Sequence, residues 1–255
     1  MLDLFLFLTP VLLLAIVALL GFVGCYQNVT YTPPALMHVQ TVVASAPANT
    51  NKVTAGPLAL TGDELIVVAV QWSSASAGAN MPGLTGASFS PVNGGGPFVW
   101  YPIDVAHNMM VQIFSAMNPA GNLQLTVTAS LLQESTVPWN LCVSAYAGVD
   151  ENAPLYSPQN SKLNYVGNNP QTPPINIGSG DLVYAVAFAA NSDGTFPGNN
   201  SLTAGPGFTA EFPPITNPLV EDGNGSNPVV AQVTNANTDP DAKGFIFAMG
   251  LKSAA

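Results

Sequence analysis

The two histidines of the chain are the first residues to weigh for chemistry, because imidazole serves as a metal ligand and as a general base. His38 and His107 lie far apart in the sequence. Neither belongs to a His-x-x-x-His or His-Glu pair, a spacing that places metal ligands on one face of an element. The sequence also contains no Gly-x-Ser-x-Gly elbow and no P-loop. We therefore interpret both histidines as structural or surface residues, and we expect no enzyme.

Acidic residues occur in adjacent pairs that suit turns better than a catalytic site. Asp150 is followed by Glu151, and Glu221 by Asp222. Adjacent residues of a strand point to opposite faces, so neither pair forms the facing carboxylates of a glycosidase. We interpret the first pair as a turn after a strand, and the second, which precedes Gly223, as another turn.

The best cation candidate in the sequence is the segment 237–241, which reads NTDPD. Asp239 and Asp241 place two carboxylates at i and i+2 of a predicted loop, where both can approach one Ca²⁺ together with carbonyl oxygens. The remaining ligands of a calcium loop are missing, so a solvated turn is the alternative. We expect no cofactor.

Aromatic residues offer a different route to function, through stacking on sugar rings. Trp72, Trp100, Tyr101 and Trp139 are the residues that such a platform would use. Trp100 and Tyr101 follow a glycine run, and a loop there would expose them to a ligand or a partner protein. Packing in the core or against a loop is the alternative interpretation.

Residues 4–23 form an uncharged apolar run that reads LFLFLTPVLLLAIVALLGFV. As a helix this run spans roughly 30 Å, about the thickness of a bilayer core. Three interpretations stay open: a retained transmembrane anchor, which we favour, a lipoprotein signal, and a simple cleaved signal. The motif FVGC resembles a lipobox with Cys25 as the lipidated residue, but the basic region expected before it is missing.

Composition limits the class of partner. Charged residues make up 7% of the 255 residues, against about 25% in an ordinary soluble domain. Four Lys and no Arg stand against 14 acidic residues, and the net charge is −10. Nucleic acid is therefore a poor partner, and an anionic lipid surface would repel the domain. An uncharged surface of Ser, Thr, Asn and Gln favours a periplasmic or extracellular location.

After residue 38 the pattern is that of short strands between Gly, Pro and Asn turns, without a convincing helix. Cys142 falls in one of these strands, and we interpret it as a small buried apolar side chain. The longer strands are predicted at 39–44, 64–72, 110–116, 123–131, 141–147, 181–189, 229–233 and 245–251. Shorter strands are predicted at 86–89, 98–101, 163–166 and 208–212.

The pattern predicts an all-β fold: a jelly-roll-like antiparallel β-sandwich preceded by one N-terminal transmembrane helix. The predicted organisation is an anchor over 1–25, an extended linker over 26–37 and the β domain over 38–255. Two segments echo each other, GDELIVVAV at 62–70 and GDLVYAVA at 180–187. Each predicts a strand covered on both faces, and the echo suggests two related halves.

A series of short motifs runs through the domain in a fixed order. They lie at residues 62–67, 111–116, 147–150, 153–155, 180–182, 207–210, 221–222 and 245–252. In this order the segment 60–252 resembles a family of secreted bacterial β-sandwich domains, often found in tandem in large surface proteins. The resemblance implies a jelly-roll-like sandwich without known catalysis. This chain departs from the family by having one copy behind an apparent anchor.

These observations predict a non-catalytic, membrane-anchored extracytoplasmic domain that docks on other membrane or surface proteins. It would act as an accessory subunit of a membrane complex or as part of a surface assembly. The Pro- and Asn-rich connections 156–174 and 191–206, or the sheet edges, are the expected contacts. We also expect the domain to fold as a monomer without disulfide or metal. The alternative function is a carbohydrate-binding or adhesive module.

Overall fold

The structure is a computed structural model in which Met1–Pro33 and Pro34–Ala255 form separate compact units. It describes residues 34–72, 84–91, 101–106, 110–118, 121, 123–135, 138–156, 161–165, 171–190, 202–211, 219–224, 228–235 and 243–254. The predicted anchor lies outside these residues. No helix that could span a membrane occurs in the described part of the chain.

The described residues are all-β, with antiparallel sheets and no helix, which confirms the predicted fold class at this level. The strands are β1 (Met37–Ala46), β2 (Thr50–Ala59), β3 (Leu65–Trp72), β4 (Leu84–Pro91), β5 (Tyr101–Ala106), β6 (Met110–Met117), β7 (Gln124–Ser135), β8 (Trp139–Ala147), β9 (Ser161–Tyr165), β10 (Leu182–Ala190), β11 (Leu202–Ala204), β12 (Phe208–Ala210), β13 (Leu219–Gly223), β14 (Val233–Asn235) and β15 (Lys243–Leu251).

These strands pair into sheets that we number I to IV. Sheet I has the order β1-β8-β3-β6-β5, and sheet II the order β2-β7-β4. Sheet III has the order β12-β13-β10-β15-β9, and sheet IV pairs β11 with β14. The strands of the sequence echo, β3 and β10, therefore occupy the centres of the two five-stranded sheets.

The central strands are buried on both faces, as their unbroken apolar sequences predict. Successive side chains of β3 alternate between two hydrophobic clusters: Leu65 belongs to the first and Ile66 to the second. In β10, Tyr184 belongs to the first cluster, whereas Val183 belongs to a third. Each fully buried side chain of this size contributes about 1.5–3 kcal/mol to folding.

The three clusters join the sheets in pairs. Cluster one combines residues of sheets I and III, cluster two those of sheets I and II, and cluster three those of sheets III and IV. Leu36, which the sequence assigns to the linker, packs in cluster one, and β1 begins at the next residue.

Most of the long predicted strands are present, and the largest difference concerns the acidic pair predicted as a turn. Glu221 and Asp222 lie inside β13, where every residue is buried. Their partners across the ladder are Ala185 and Tyr184 of β10. That prediction was wrong because pairing with a central strand overrode the turn preference of the local sequence.

Strand β2 was also missed, because Lys52, Gly56 and Pro57 interrupt its pattern. The segment 229–233 is largely extended without being one strand: Val229 forms an isolated bridge to Ile175, and β14 begins at Val233. By contrast, Asp150 starts a turn, as predicted, and its carboxylate accepts hydrogen bonds from the backbone of Asn152 and Ala153.

Candidate functional site

One group of buried carboxylates closes the turns that start the central strands. Glu64 is fully buried immediately before β3 and accepts hydrogen bonds from Thr61, from the Gly62 amide and, at 2.7 Å, from Nδ2 of Asn118. Burial raises the pKa of Glu64, but these hydrogen bonds outweigh it and hold the pKa below its usual value. Gly62 and Asp63 have positive φ angles of 106° and 65°, which turn the chain back toward the carboxylate.

Asp181 repeats this arrangement immediately before β10. Its carboxylate accepts hydrogen bonds from the amide and hydroxyl of Ser253, at 2.8 and 2.9 Å, and from the Gly178 amide at 2.8 Å. The Tyr156 hydroxyl donates a further bond. Burial raises the pKa of Asp181, and the hydrogen bonds lower it to a net value below the usual one. Glu64 and Asp181 are thus structural groups whose carboxylates are satisfied by the fold itself.

A different arrangement lies between the edges of sheets I and III. His38, on the edge strand β1, places its Nδ1 atom 2.5 Å from a carboxylate oxygen of Glu211, which follows the edge strand β12. Asp222 of the neighbouring strand β13 completes the group. One ligand atom from each of the three residues lies within 4.8 Å of the others. We call this group the edge triad.

The other ring nitrogen of His38 has a separate hydrogen-bond chain. Nε2 lies 2.8 Å from Oγ1 of Thr41, and that hydroxyl lies 2.8 Å from Oγ of Ser144 on β8. The imidazole ring also contacts the ring of Tyr146 edge-on, with 5.4 Å between the centroids. These two contacts hold the ring with Nδ1 facing the carboxylates.

Two polar atoms beside the triad are buried without a hydrogen bond. They are Oδ2 of Asp222 and the hydroxyl of Tyr146, a residue with no exposed surface. The hydroxyl lies close enough to the carboxylate for each to perturb the other, but the approach lacks hydrogen-bond geometry. Buried polar atoms are normally paired, so these two unpaired atoms point to an absent ligand or ion.

The electrostatics of the triad follow from burial and from the crowding of negative charge. Burial lowers the pKa of His38, although the Glu211 carboxylate opposes the shift. Burial and the neighbouring charge of Glu211 raise the pKa of Asp222 to about 7. Burial also raises the pKa of the Tyr146 hydroxyl.

Glu221 precedes Asp222 in β13. Its side chain points to the opposite face of sheet III, away from the edge triad. It has no exposed surface, and Oε2 accepts a bond from the Gly205 amide at 3.2 Å while Oε1 has no partner. Burial raises the pKa of Glu221 to about 8, so this side chain is protonated at neutral pH.

Sheet II presents a surface of a different kind, its face turned away from cluster two. On β2, Thr54 is exposed between two buried residues of cluster two, and its Oγ1 lies 2.9 Å from Oγ1 of Thr128 on β7. Thr126 and Ser130 continue this row on β7. The charged residues of the two strands are Lys52, which is exposed on the same face as Thr54 and lies opposite Ser130, and Glu134. We call this hydroxyl-lined surface the threonine face.

The structure describes few of the residues that the sequence predicted as sites. Cys25, Trp100, His107, Asp239 and Asp241 lie outside the described residues. Tyr101 begins β5, and the structure describes its backbone.

Two other sequence interpretations concern residues in the core. Trp139 is buried in cluster two, where Nε1 donates to Thr50, so it cannot join the sugar-stacking platform for which it was considered. Cys142 is a free buried thiol, as predicted, and burial raises its pKa.

The sequence pointed to His38 but missed its partners. Glu211 and Asp222 are distant in sequence and meet His38 only because β1 and β12 are edges of sheets that share cluster one. One available signal was the run Leu219-Val220-Glu221-Asp222, in which an acidic pair extends an apolar stretch.

No profile of a protein family, no curated protein and no solved structure matches this chain. The resemblance to secreted bacterial surface domains therefore stays a prediction.

Proposed function

We propose that this chain is a non-catalytic, membrane-anchored extracytoplasmic β domain that docks on another membrane or surface protein. The observation that carries the proposal is the threonine face, a regular surface of hydroxyl groups on neighbouring strands. Thr54 and Thr128 stand directly opposite each other in the ladder of β2 and β7. Uncharged polar groups lose less on desolvation than charged groups, so a partner can cover such a face at modest cost.

The burial of three carboxylates, Glu64, Asp181 and Glu221, supports a structural role for them over a catalytic one. Glu64 and Asp181 hold turns together, and Glu221 is directed into the core. A catalytic group would need to reach a substrate at hydrogen-bond distance. These three carboxylates instead tie one part of the domain to another.

The strand orders support a jelly-roll-like sandwich as the scaffold. Sheet I has the order β1-β8-β3-β6-β5 and sheet II the order β2-β7-β4, so successive strands alternate between the two sheets except at β5 and β6, which both lie in sheet I. Eight strands arranged as two Greek keys have this alternation. Sheets III and IV would form a second layered unit that shares cluster one with the first.

The apolar run at residues 4–23 supports the anchor. A tether beside a membrane raises the effective concentration of the domain near a membrane partner, so a weak interface is sufficient for occupancy. The lipoprotein interpretation, with Cys25 modified, would provide the same advantage by a lipid chain.

A charge placed on the threonine face tests the docking proposal. The full chain is affinity-purified from native membranes as wild type, as Thr54→Lys and as Thr203→Lys, and the proteins that co-purify are quantified. Thr203 is the matched control, since it is an exposed threonine on β11 of sheet IV. We expect Thr54→Lys to reduce capture of the partner at least tenfold, because burying the ammonium group is costly. Thr203→Lys is expected to retain it.

Equal capture by both variants would contradict docking through the threonine face. If no protein co-purifies, while the wild type binds a glycan array and Trp100→Ala abolishes that binding, the carbohydrate-binding alternative replaces the proposal.

A further inference from the structure

We propose that the edge triad of His38, Glu211 and Asp222 binds one divalent transition-metal ion, for which Zn²⁺ is the natural candidate, and thereby clamps sheet I to sheet III. The inference is independent of docking through the threonine face, which lies on sheet II. It also departs from our expectation, drawn from the sequence, that the domain needs no metal.

The donor set is the first argument. One imidazole nitrogen and two carboxylate oxygens suit Zn²⁺ and related ions, whereas Ca²⁺ and Mg²⁺ prefer ligand sets made of oxygen alone. The three donor atoms already lie within 4.8 Å of one another. Metal–ligand bonds of about 2.0–2.2 Å place ligand atoms roughly 3.3 Å apart, so a small movement of the side chains suffices.

The surroundings of His38 also suit a metal ligand. A metal-bound histidine normally donates its other N–H to an oxygen, which fixes the tautomer and the ring orientation. Here Nε2 lies 2.8 Å from the Thr41 hydroxyl, which is in turn 2.8 Å from the Ser144 hydroxyl. Without an ion, the 2.5 Å separation of Nδ1 from the Glu211 carboxylate is a hydrogen bond that places a proton on Nδ1. Binding of the ion would displace that proton and move the two atoms apart, and the neutral ring would then carry its proton on Nε2, which donates to Thr41.

An unpaired buried oxygen of Asp222 points to the same location. Asp222 is 8% exposed, yet Oδ2 has no hydrogen-bond partner, and neither has the adjacent hydroxyl of the fully buried Tyr146. Two carboxylates meeting at a buried edge repel each other unless a cation or a proton lies between them. A metal ion would bridge them and complete the bonding of Asp222.

The experiment uses the full chain in detergent with the background substitution Cys25→Ser, a tag without histidine and a chelator wash. Zn²⁺ is titrated into the protein by calorimetry, and thermal unfolding is followed with and without the ion. We expect one equivalent of Zn²⁺ to bind and to raise the melting temperature. Co²⁺ in place of Zn²⁺ is expected to give visible ligand-field absorption typical of nitrogen and oxygen ligands.

Asp222→Asn and Glu221→Gln form a matched pair, because each replaces one buried carboxyl group of β13 with an amide while the two side chains face opposite sides of the sheet. Asp222→Asn is expected to weaken Zn²⁺ binding at least tenfold, and Glu221→Gln to leave the affinity unchanged. His38→Gln is a second test of the same kind. Should the substitutions prevent folding, the Co²⁺ spectrum of the parent chain, and its loss on addition of excess Zn²⁺, decides the matter.

Absence of Zn²⁺ binding by the parent chain would overturn the proposal. Equal affinity of the parent and the Asp222→Asn variant would overturn it as well, as would binding of Ca²⁺ in preference to Zn²⁺.

Discussion

At the scale of single residues, the buried carboxylates among the described residues fall into two groups that differ in how their oxygens are hydrogen-bonded. Glu64 and Asp181 each accept several hydrogen bonds, and their pKa values lie below the usual range. Asp222 and Glu221 each retain an unpaired oxygen, and their pKa values are raised to about 7 and about 8. The first group stabilises the fold when ionised, whereas Asp222, in the second group, belongs to the proposed metal site.

The Glu64→Gln substitution tests the structural role of the first group. The amide that replaces one oxygen would meet the N–H donors of the turn, so at least one charge-assisted hydrogen bond is lost and a donor is left unpaired. We expect a loss of about 2–3 kcal/mol in the free energy of unfolding, measured by urea denaturation at neutral pH. Glu134→Gln, at an exposed position of β7, is the control and should change stability by less than about 0.5 kcal/mol.

The loss of stability in Glu64→Gln should change with pH in a direction that a general packing defect would not produce. The pKa of Glu64 is lower in the folded protein than its ordinary value of 4.5. The contribution of the carboxylate is therefore fully present above that value and is lost as the pH falls through the folded pKa. The stability gap between wild type and Glu64→Gln should narrow between neutral pH and about pH 3. A gap that stays constant over this range would contradict the assignment.

At the scale of elements, the turn after β8 brings distant segments of the chain together. Gly148 has a φ angle of 74°, and a Cβ atom there would lie 2.5 Å from the carbonyl oxygens of Pro34 and Ala35, just before β1. Its carbonyl accepts a hydrogen bond from the Ala254 amide at 2.9 Å. This glycine is therefore required both by its backbone angle and by the close approach of another segment.

Gly148→Ala is expected to destabilise the domain by about 3 kcal/mol or more, because a backbone clash adds to the unfavourable left-handed angle. Gly121→Ala separates the two effects, since Gly121 has a φ angle of 82° and open space within 4 Å of the position that a methyl group would occupy. That control should cost about 1–2 kcal/mol. Thermal and urea unfolding of both variants measure the difference, and equal losses would remove the steric part of the explanation.

The sequence predicted those elements whose secondary structure and burial follow from their own residue pattern. Strands β3, β8, β10 and β15 are apolar over most of their length, and burial of both faces follows from that pattern. Strands β2 and β13 could not be predicted in this way, because Pro57 and the pair Glu221-Asp222 oppose strand formation locally. Their conformation depends on the neighbouring strands β7 and β10.

The candidate metal site shows the same limit of local reasoning. His38 was visible in the sequence as an isolated histidine, and its interpretation as a structural residue followed from the absence of a nearby ligand. Its partners Glu211 and Asp222 become neighbours only through the meeting of two sheet edges, which is a property of topology and not of spacing.

At the scale of the whole molecule, the described residues form three hydrophobic clusters that link the sheets, with a hydroxyl-rich face on sheet II. The echo between residues 62–70 and 180–187 corresponds to two central strands, each preceded by a buried carboxylate that closes a turn. This repetition supports the interpretation of two related halves. We propose that this scaffold docks on a partner beside a membrane, so the proposal must be tested in native membranes.

Site-specific photo-cross-linking in native membranes tests that claim most directly. A benzophenone amino acid is placed at position 54 on the threonine face, or at position 203 on sheet IV as the control. We expect irradiation to join position 54 to a partner protein in a discrete adduct that is absent at position 203. If position 54 gives no adduct, or if both positions give the same set of adducts, docking through the threonine face is contradicted.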